Sequence, residues 1–390
     1  MTMLSVTPNV RFIGVDDDNL DLFESQYPLV KGISYNSYLI DDEHVAIVDA
    51  VDVRRCYDWL ANLSEALDGR QPDYLIVQHV EPDHSGSVAA VLNRYPGLKV
   101  VATAKAVEIL GNFFEGTDIA GRSVMVKDGD TLSLGRATLK FFTAPMVHWP
   151  EVMMTLDEAD GVLFSADAFG TFAMPSSTEP WDDEARRYYC NIVGKYGNNV
   201  KAVMKKLAGQ PFNIVAPLHG PVLKENLAHY WRLYEKWSNY EPEMRGVLVA
   251  YASVYGGTAE AARRLAVMLR EEGAGDVVLM DLCRHDVSYA VAEAFRLSGL
   301  ALCSVTYDAS LFPAMYNFLH HLQMKNLKNR TVGIVENGSW APVAGKVMGD
   351  MLSKMKDMTV VEPRVTIRSR LHDSDLPALR ELAKTLAENV

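Results

Sequence analysis

The sequence predicts two α/β domains in tandem, a mixed α/β domain followed by a doubly wound parallel sheet. Three observations lead there. The chain has 390 residues, 48% of them hydrophobic, more than a single core usually organises. Up to about Asn239, short β-like runs alternate irregularly with helical stretches. After the polar stretch Ser238-Asn-Tyr-Glu-Pro-Glu243, apolar runs alternate strictly with helical patterns, so the domains are expected to span 1–243 and 244–390.

In the first domain the strand candidates include Tyr74-Leu-Ile-Val-Gln-His79, Thr138-Leu-Lys-Phe-Phe-Thr143 and Gly161-Val-Leu-Phe-Ser165. The second offers Gly246–Tyr251, Asp276–Met280, Gly299–Cys303, Arg330–Val335 and Thr359–Val361. Between them lie amphipathic segments such as Thr258 to Arg270, where Ala262, Leu265, Ala266 and Leu269 share one helical face. Such strand–helix units imply a parallel sheet of flavodoxin size.

Composition excludes several classes. With 38 Lys and Arg against 50 Asp and Glu, the net charge of −12 argues against a nucleic-acid partner, whose phosphates need clustered cations. The N-terminal stretch Met1 to Pro8 has neither a basic region nor a long apolar run, and no segment reaches the ~18 apolar residues of a membrane span. The expected location is cytoplasmic. Cys56, Cys190, Cys283 and Cys303 form no C-x-x-C pair, so they read as structural free thiols.

The first chemical motif is His79-Val-Glu81-Pro-Asp83-His84, directly after an apolar strand. Four potential metal ligands in six residues at a strand's C-terminal end are hard to assign to packing. The motif resembles the H-x-[EH]-x-D-H signature of the metallo-β-lactamase superfamily, which implies an αββα sandwich and further His, Asp and His ligands. His148, Asp167 and His219 each end a β-like run and are the candidates. His44, His229, His285, His320, His321 and His372 lack ligand-like neighbourhoods. The hydrolases of that superfamily usually carry His where this chain has Glu81. A harder, anionic ligand there shifts the expectation from zinc to a mixed His/carboxylate site of the di-iron kind.

The second domain opens with Ser253-Val254-Tyr255-Gly256-Gly257-Thr258 between its first strand and first helix. A turn of this composition lets amides and hydroxyls surround a phosphate at a helix N-terminus, although Gly-rich turns also occur for purely structural reasons. Two later loops follow strand ends: Ser304-Val305-Thr306-Tyr307-Asp308, and Asn337-Gly338-Ser339-Trp340-Ala341. Tyr307 and Trp340 are placed to flank a flat ring, with core packing as the alternative. The arrangement is similar to the FMN site of flavodoxins.

Together with Ser34-Tyr-Asn-Ser-Tyr38 and Arg187-Tyr-Tyr-Cys-Asn-Ile192, these motifs resemble the flavodiiron protein family along nearly the whole chain. The resemblance implies that His79, Glu81 and His148 hold one iron, that Asp83, His84 and His219 hold the other, and that Asp167 bridges them. It implies electrons passing from a small donor such as rubredoxin through FMN to the irons, with O2 reduced to water or NO to N2O. It further implies a head-to-tail homodimer that sets the FMN of one subunit against the irons of the other. Without C-x-x-C pairs for a rubredoxin-like domain, the minimal two-domain class is expected. One departure is that Glu24-Ser-Gln-Tyr27 offers no His where many members carry one near the metal pocket. Two rival readings remain: a di-zinc hydrolase fused to a flavodoxin-like module, and a non-catalytic flavin electron carrier.

Overall fold

Along Thr138–Thr143 the side chains of Leu139 and Phe141 are fully buried in one core, the period-two pattern of a strand with one face covered. In this computed structural model, which describes residues 5–176 and 180–390, that strand lies in a five-stranded sheet. Met1–Leu4 of the N-terminal stretch read above lie outside the described residues. The sheet runs Thr131–Ser133, Thr138–Thr143, Met153–Asp157, Val162–Phe164, Ile214–Ala216. A six-stranded sheet runs Val10–Phe12, Tyr38–Ile40, Ala46–Val48, Tyr74–Ile76, Lys99–Thr103, Ser123–Val126. One apolar cluster joins Val48, Ile76 and Val101 of this sheet to Phe141, Met153 and Phe164 of the other, so the two pack face to face as a sandwich.

Strand direction places the chemistry. Val162–Phe164 and Ile214–Ala216 are parallel, and Thr138–Thr143 shares their direction because two antiparallel pairings separate it from Val162–Phe164. Their C-terminal ends therefore open on one edge. Several runs are shorter than the sequence suggests: the strand expected over Tyr74 to His79 ends at Ile76, and Thr138–Thr143 ends before His148. The freed residues form loops at that edge.

The second sheet system is parallel, with order Asp276–Asp281, Met244–Ala252, Leu297–Tyr307, Arg330–Asn337, Met358–Val360. That is the 2-1-3-4-5 order of a flavodoxin-like fold. Val365–Ile367, which the sequence reading did not mark, also pairs with Arg330–Asn337 in parallel. The central strand Met244–Ala252 is buried on both sides from Gly246 onward. Val247 and Val249 join helices Gly257–Glu271 and Leu376–Glu388 in one cluster, while the intervening Leu248 and Ala250 are fully buried outside it.

Contacts divide the chain into two units, one ending at Tyr189 and resuming over Asn198–Arg232, the other comprising Cys190–Gly197 and Leu233–Val390. The division falls within helix Leu227–Asn239, ahead of the change in sequence pattern at Ser238. Among the described residues no helix is long and apolar enough to cross a membrane.

Candidate metal and flavin sites

Burial of Asp49 begins the first site. Its carboxylate accepts the Gln78 amide at 2.8 Å, the Gln78 side chain at 3.1 Å and the His79 amide at 3.4 Å, fixing the loop that leaves strand Tyr74–Ile76. Burial pushes the Asp49 carboxyl up to about 6, against the pull of His84 and these N–H donors. Pro82 then opens the one-turn helix Pro82–Ser85, where Pro suits the first position because its missing N–H would be unpaired anyway. The turn carries Asp83 and His84, the second of which sits back against Ala50 through its carbonyl, at 3.0 Å.

The loops at the sandwich edge bring all seven candidates together in two groups: His79, Glu81, His148 and Asp167, and Asp83, His84 and His219. In the first, His148 Nε2 lies 3.1 Å from both Glu81 Oε2 and Asp167 Oδ2, and His79 Nε2 lies 3.2 Å from Glu81 Oε2 and 3.4 Å from Asp167 Oδ2. In the second, Asp83 Oδ2 lies 3.4 Å from His84 Nε2 and 3.3 Å from His219 Nε2. Asp167 spans both, since its other oxygen, Oδ1, is 3.1 Å from His84 Nε2. The other histidines are absent from these groups; His229, for instance, pairs with Asp182 at 2.9 Å.

This donor set fits metal ions. Among the described residues, both oxygens of Asp83, Asp167 Oδ1, both ring nitrogens of His84 and His219 Nε2 are buried without a hydrogen-bond partner. Lone pairs left so in a protein interior are costly unless something binds them. Electrostatics agree. Burial alone would push His79 and His148 down, yet the surrounding carboxylates lift His79 well above its usual value and His148 up to about 9. Burial likewise opposes ionisation of Asp167, but His84, His79 and His148 hold it well below the carboxylate range. The carboxylates thus demand positive charge, which ring protons supply when no metal does.

Three neighbours were not singled out from sequence. Glu151 Oε1 lies 2.8 Å from His79 Nδ1. Tyr188 is buried with its ring 5.6 Å from that of His219, and its hydroxyl has no partner among the described residues. Burial, then Asp167 and Asp83, hold that phenol well above its usual value, so it stays an O–H donor. Asp49 is the third. The available signal was adjacency: Glu151 follows His148 by three residues, and Tyr188 lies in the Arg187–Ile192 run. Glu24 has its carboxyl raised by burial and by Glu81, against His148.

In the second unit, Gly256 adopts φ 92° and precedes helix Gly257–Glu271 without a side-chain cap, leaving its first-turn amides for a ligand. Ser253 Oγ accepts the Gly256 amide at 3.1 Å. A Cβ on Gly257 would stand 2.3 Å from the Ser369 carbonyl, so only glycine lets the turn approach that strand end. Thr258 is buried and accepts from Asn337 Nδ2 at 3.2 Å, and Asn337 also donates to Ser369 O at 3.1 Å. These bonds tie the 253–258 turn to the loop that begins at Asn337. Tyr255 is 100% exposed and Trp340 87%, with Tyr307 and Val254 also exposed, so the aromatic rings are not core packing. Gly338 is buried against Pro342, and Ser304 is wholly buried. The Thr306 hydroxyl is occupied elsewhere, accepting the Val343 and Ala344 amides at 2.9 and 3.1 Å where helix Ala344–Leu352 begins. The uncapped turn and the exposed rings suit a phosphate-bearing flat cofactor.

Comparison with known proteins gives these features a family. Residues 33–220 match the family model described as ODP family beta lactamase. The chain is similar to the anaerobic nitric oxide reductase flavorubredoxin of Aliivibrio fischeri, 28% identical over 86% of this chain and 70% of that protein. It is similar to the nitric oxide reductase of Moorella thermoacetica, 27% identical over 99% and 98% of the two chains. Its fold matches the solved rubredoxin oxygen:oxidoreductase of Desulfovibrio gigas with a TM-score of 0.92 at 25% identity, covering 99% of this chain and 98% of that one. A metallo-β-lactamase-like sandwich with two buried ligand groups, joined in one chain to a flavodoxin-like sheet, defines an oxidoreductase class. In sequence and in fold the chain is similar to flavodiiron proteins and their nitric oxide reductase relatives.

Proposed function

We propose that this protein reduces nitric oxide to N2O, dioxygen to water, or both, at two irons held by His79, Glu81, His148, Asp167, Asp83, His84 and His219. The observation that carries this reading is Asp167, whose two oxygens face the two buried ligand groups separately. Bound there, paired irons supply open coordination positions and two electrons, and FMN supplies single-electron relay. The chain's own residues do the rest. Ser253 to Thr258, with backbone from the loops Ser304–Asp308 and Asn337–Ala341, would seat the flavin phosphate and ring, Tyr255, Tyr307 and Trp340 flanking it. Tyr188 holds a protonated hydroxyl beside His219, ready to donate a hydrogen bond to a gas ligand.

The names of the relatives support both gases. A small donor such as rubredoxin and a head-to-tail homodimer complete the reading. Glu81, in place of an imidazole, weighs against the di-zinc hydrolase reading. Protein purified from iron-replete cells should carry about two irons and one FMN per chain, as a carboxylate-rich di-metal site and a single flavin fold require. Stoichiometric zinc, or failure of the reduced protein to consume either gas, would overturn it.

A further inference from the structure

The two ligand groups are backed unequally. His79 Nδ1 lies 2.8 Å from Glu151 Oε1, and both side chains are wholly buried. The same oxygen accepts the Val80 amide at 3.1 Å, while Oε2 meets no donor among the described residues. Glu151 is itself fixed, because its backbone carbonyl accepts the Thr103 hydroxyl at 3.0 Å. The second group has nothing comparable. His219 Nδ1 faces a neutral acceptor, the Ser34 carbonyl at 2.7 Å, and His84 Nδ1 has no partner among the described residues.

The geometry points to Glu151 as a positioning residue that makes the two metal positions unequal. It holds the proton of His79 on Nδ1, turns Nε2 toward Glu81 and Asp167, and strengthens that ring as a donor through its negative charge. A carboxylate behind a ligating imidazole fixes the tautomer and raises basicity, whereas a carbonyl fixes the tautomer with less effect on donor strength. A metal among His79, Glu81, His148 and Asp167 is therefore held more tightly than one among Asp83, His84 and His219. This inference rests on the metal reading of the seven residues.

The test uses the full-length protein loaded with cobalt(II) and challenged with a chelator. Cobalt content before the challenge tests the metal reading by itself, and a wild type that retains none sinks that reading. A loaded wild type should release metal in two phases. Glu151→Gln keeps an oxygen acceptor for His79 and Val80 but removes the charge, so the slow phase alone should accelerate roughly 10- to 100-fold. A single uniform phase in the wild type, or an unchanged slow phase in Glu151→Gln, overturns the role of Glu151 while leaving the metal reading intact. Should the variant fail to fold, the wild type still decides by NMR. The His79 ring N–H, shut against a buried carboxylate, should give a hyperfine-shifted proton that exchanges slowly with D2O, and rapid exchange overturns the proposal.

Discussion

At the scale of residues, Asp167 is the side chain on which both ligand groups depend. It sits three residues past the end of strand Val162–Phe164, directly after a left-handed Ala166 with φ 50°, so the chain turns sharply enough to direct the carboxylate between the groups. Asp167→Ala should lose iron and gas reduction by more than about 100-fold, beyond the cost of losing an outer partner, because both positions lose a donor at once. FMN content should not change, since its site is built from other elements. Metal and flavin analysis of the same sample checks both halves, and unchanged iron would remove Asp167 from the ligand set.

At the scale of elements, the 253–258 turn proposed to seat the flavin depends on two backbone segments lying closer than side chains allow. Gly257 opens the helix Gly257–Glu271 against the Ser369 carbonyl, and Asn337 bridges the helix start to the same carbonyl. Gly257→Ala should force that contact apart and destabilise the flavodoxin-like sheet by about 1–3 kcal/mol, the usual cost of overpacking. FMN affinity should fall while iron content stays. Calorimetry with and without added FMN reads the first effect, and fluorescence titration reads the second; wild-type affinity would show that the turn relaxes without harm.

At the scale of the whole molecule, the homodimer reading makes a quantitative demand. One variant, His148→Ala with Asp167→Ala, removes iron ligands; another, Thr258→Ala with Gly256→Trp, obstructs the flavin turn. Each homodimer should be inactive. If electrons cross between subunits, a mixed dimer regains one working site of two and should approach about half of wild-type activity, as two-fold symmetry requires. Transfer within one subunit leaves the mixture inactive, so mass-verified heterodimers without NO or O2 consumption would refute the head-to-tail arrangement. The domains expected at 1–243 and 244–390 bear on the same design. The contact units exchange the segment Cys190–Gly197 and divide at Leu233, so dissection at Glu243 is proposed only with that segment kept in place.

The sequence by itself determined the two α/β patterns, the seven ligand candidates and the Gly-rich turn at the start of the second domain's first helix. Such signals are local: ligand residues cluster at strand ends, strand and helix periods differ, and Gly-Gly-Thr marks the turn from a strand into a helix. Only the tertiary structure decided which candidates meet. That Asp167 turns one oxygen to each group, that Glu151 stands behind His79, and that the hydroxyl of Thr306 caps a helix rather than facing a ligand are outcomes of contacts between residues far apart in the chain. The same holds for the exchanged segment Cys190–Gly197 and the added strand Val365–Ile367, whose pairing partner lies about thirty residues earlier. Spacing along a chain records periodicity, whereas hydrogen bonds and buried charge are settled by whichever groups the packed sheets bring within a few ångströms.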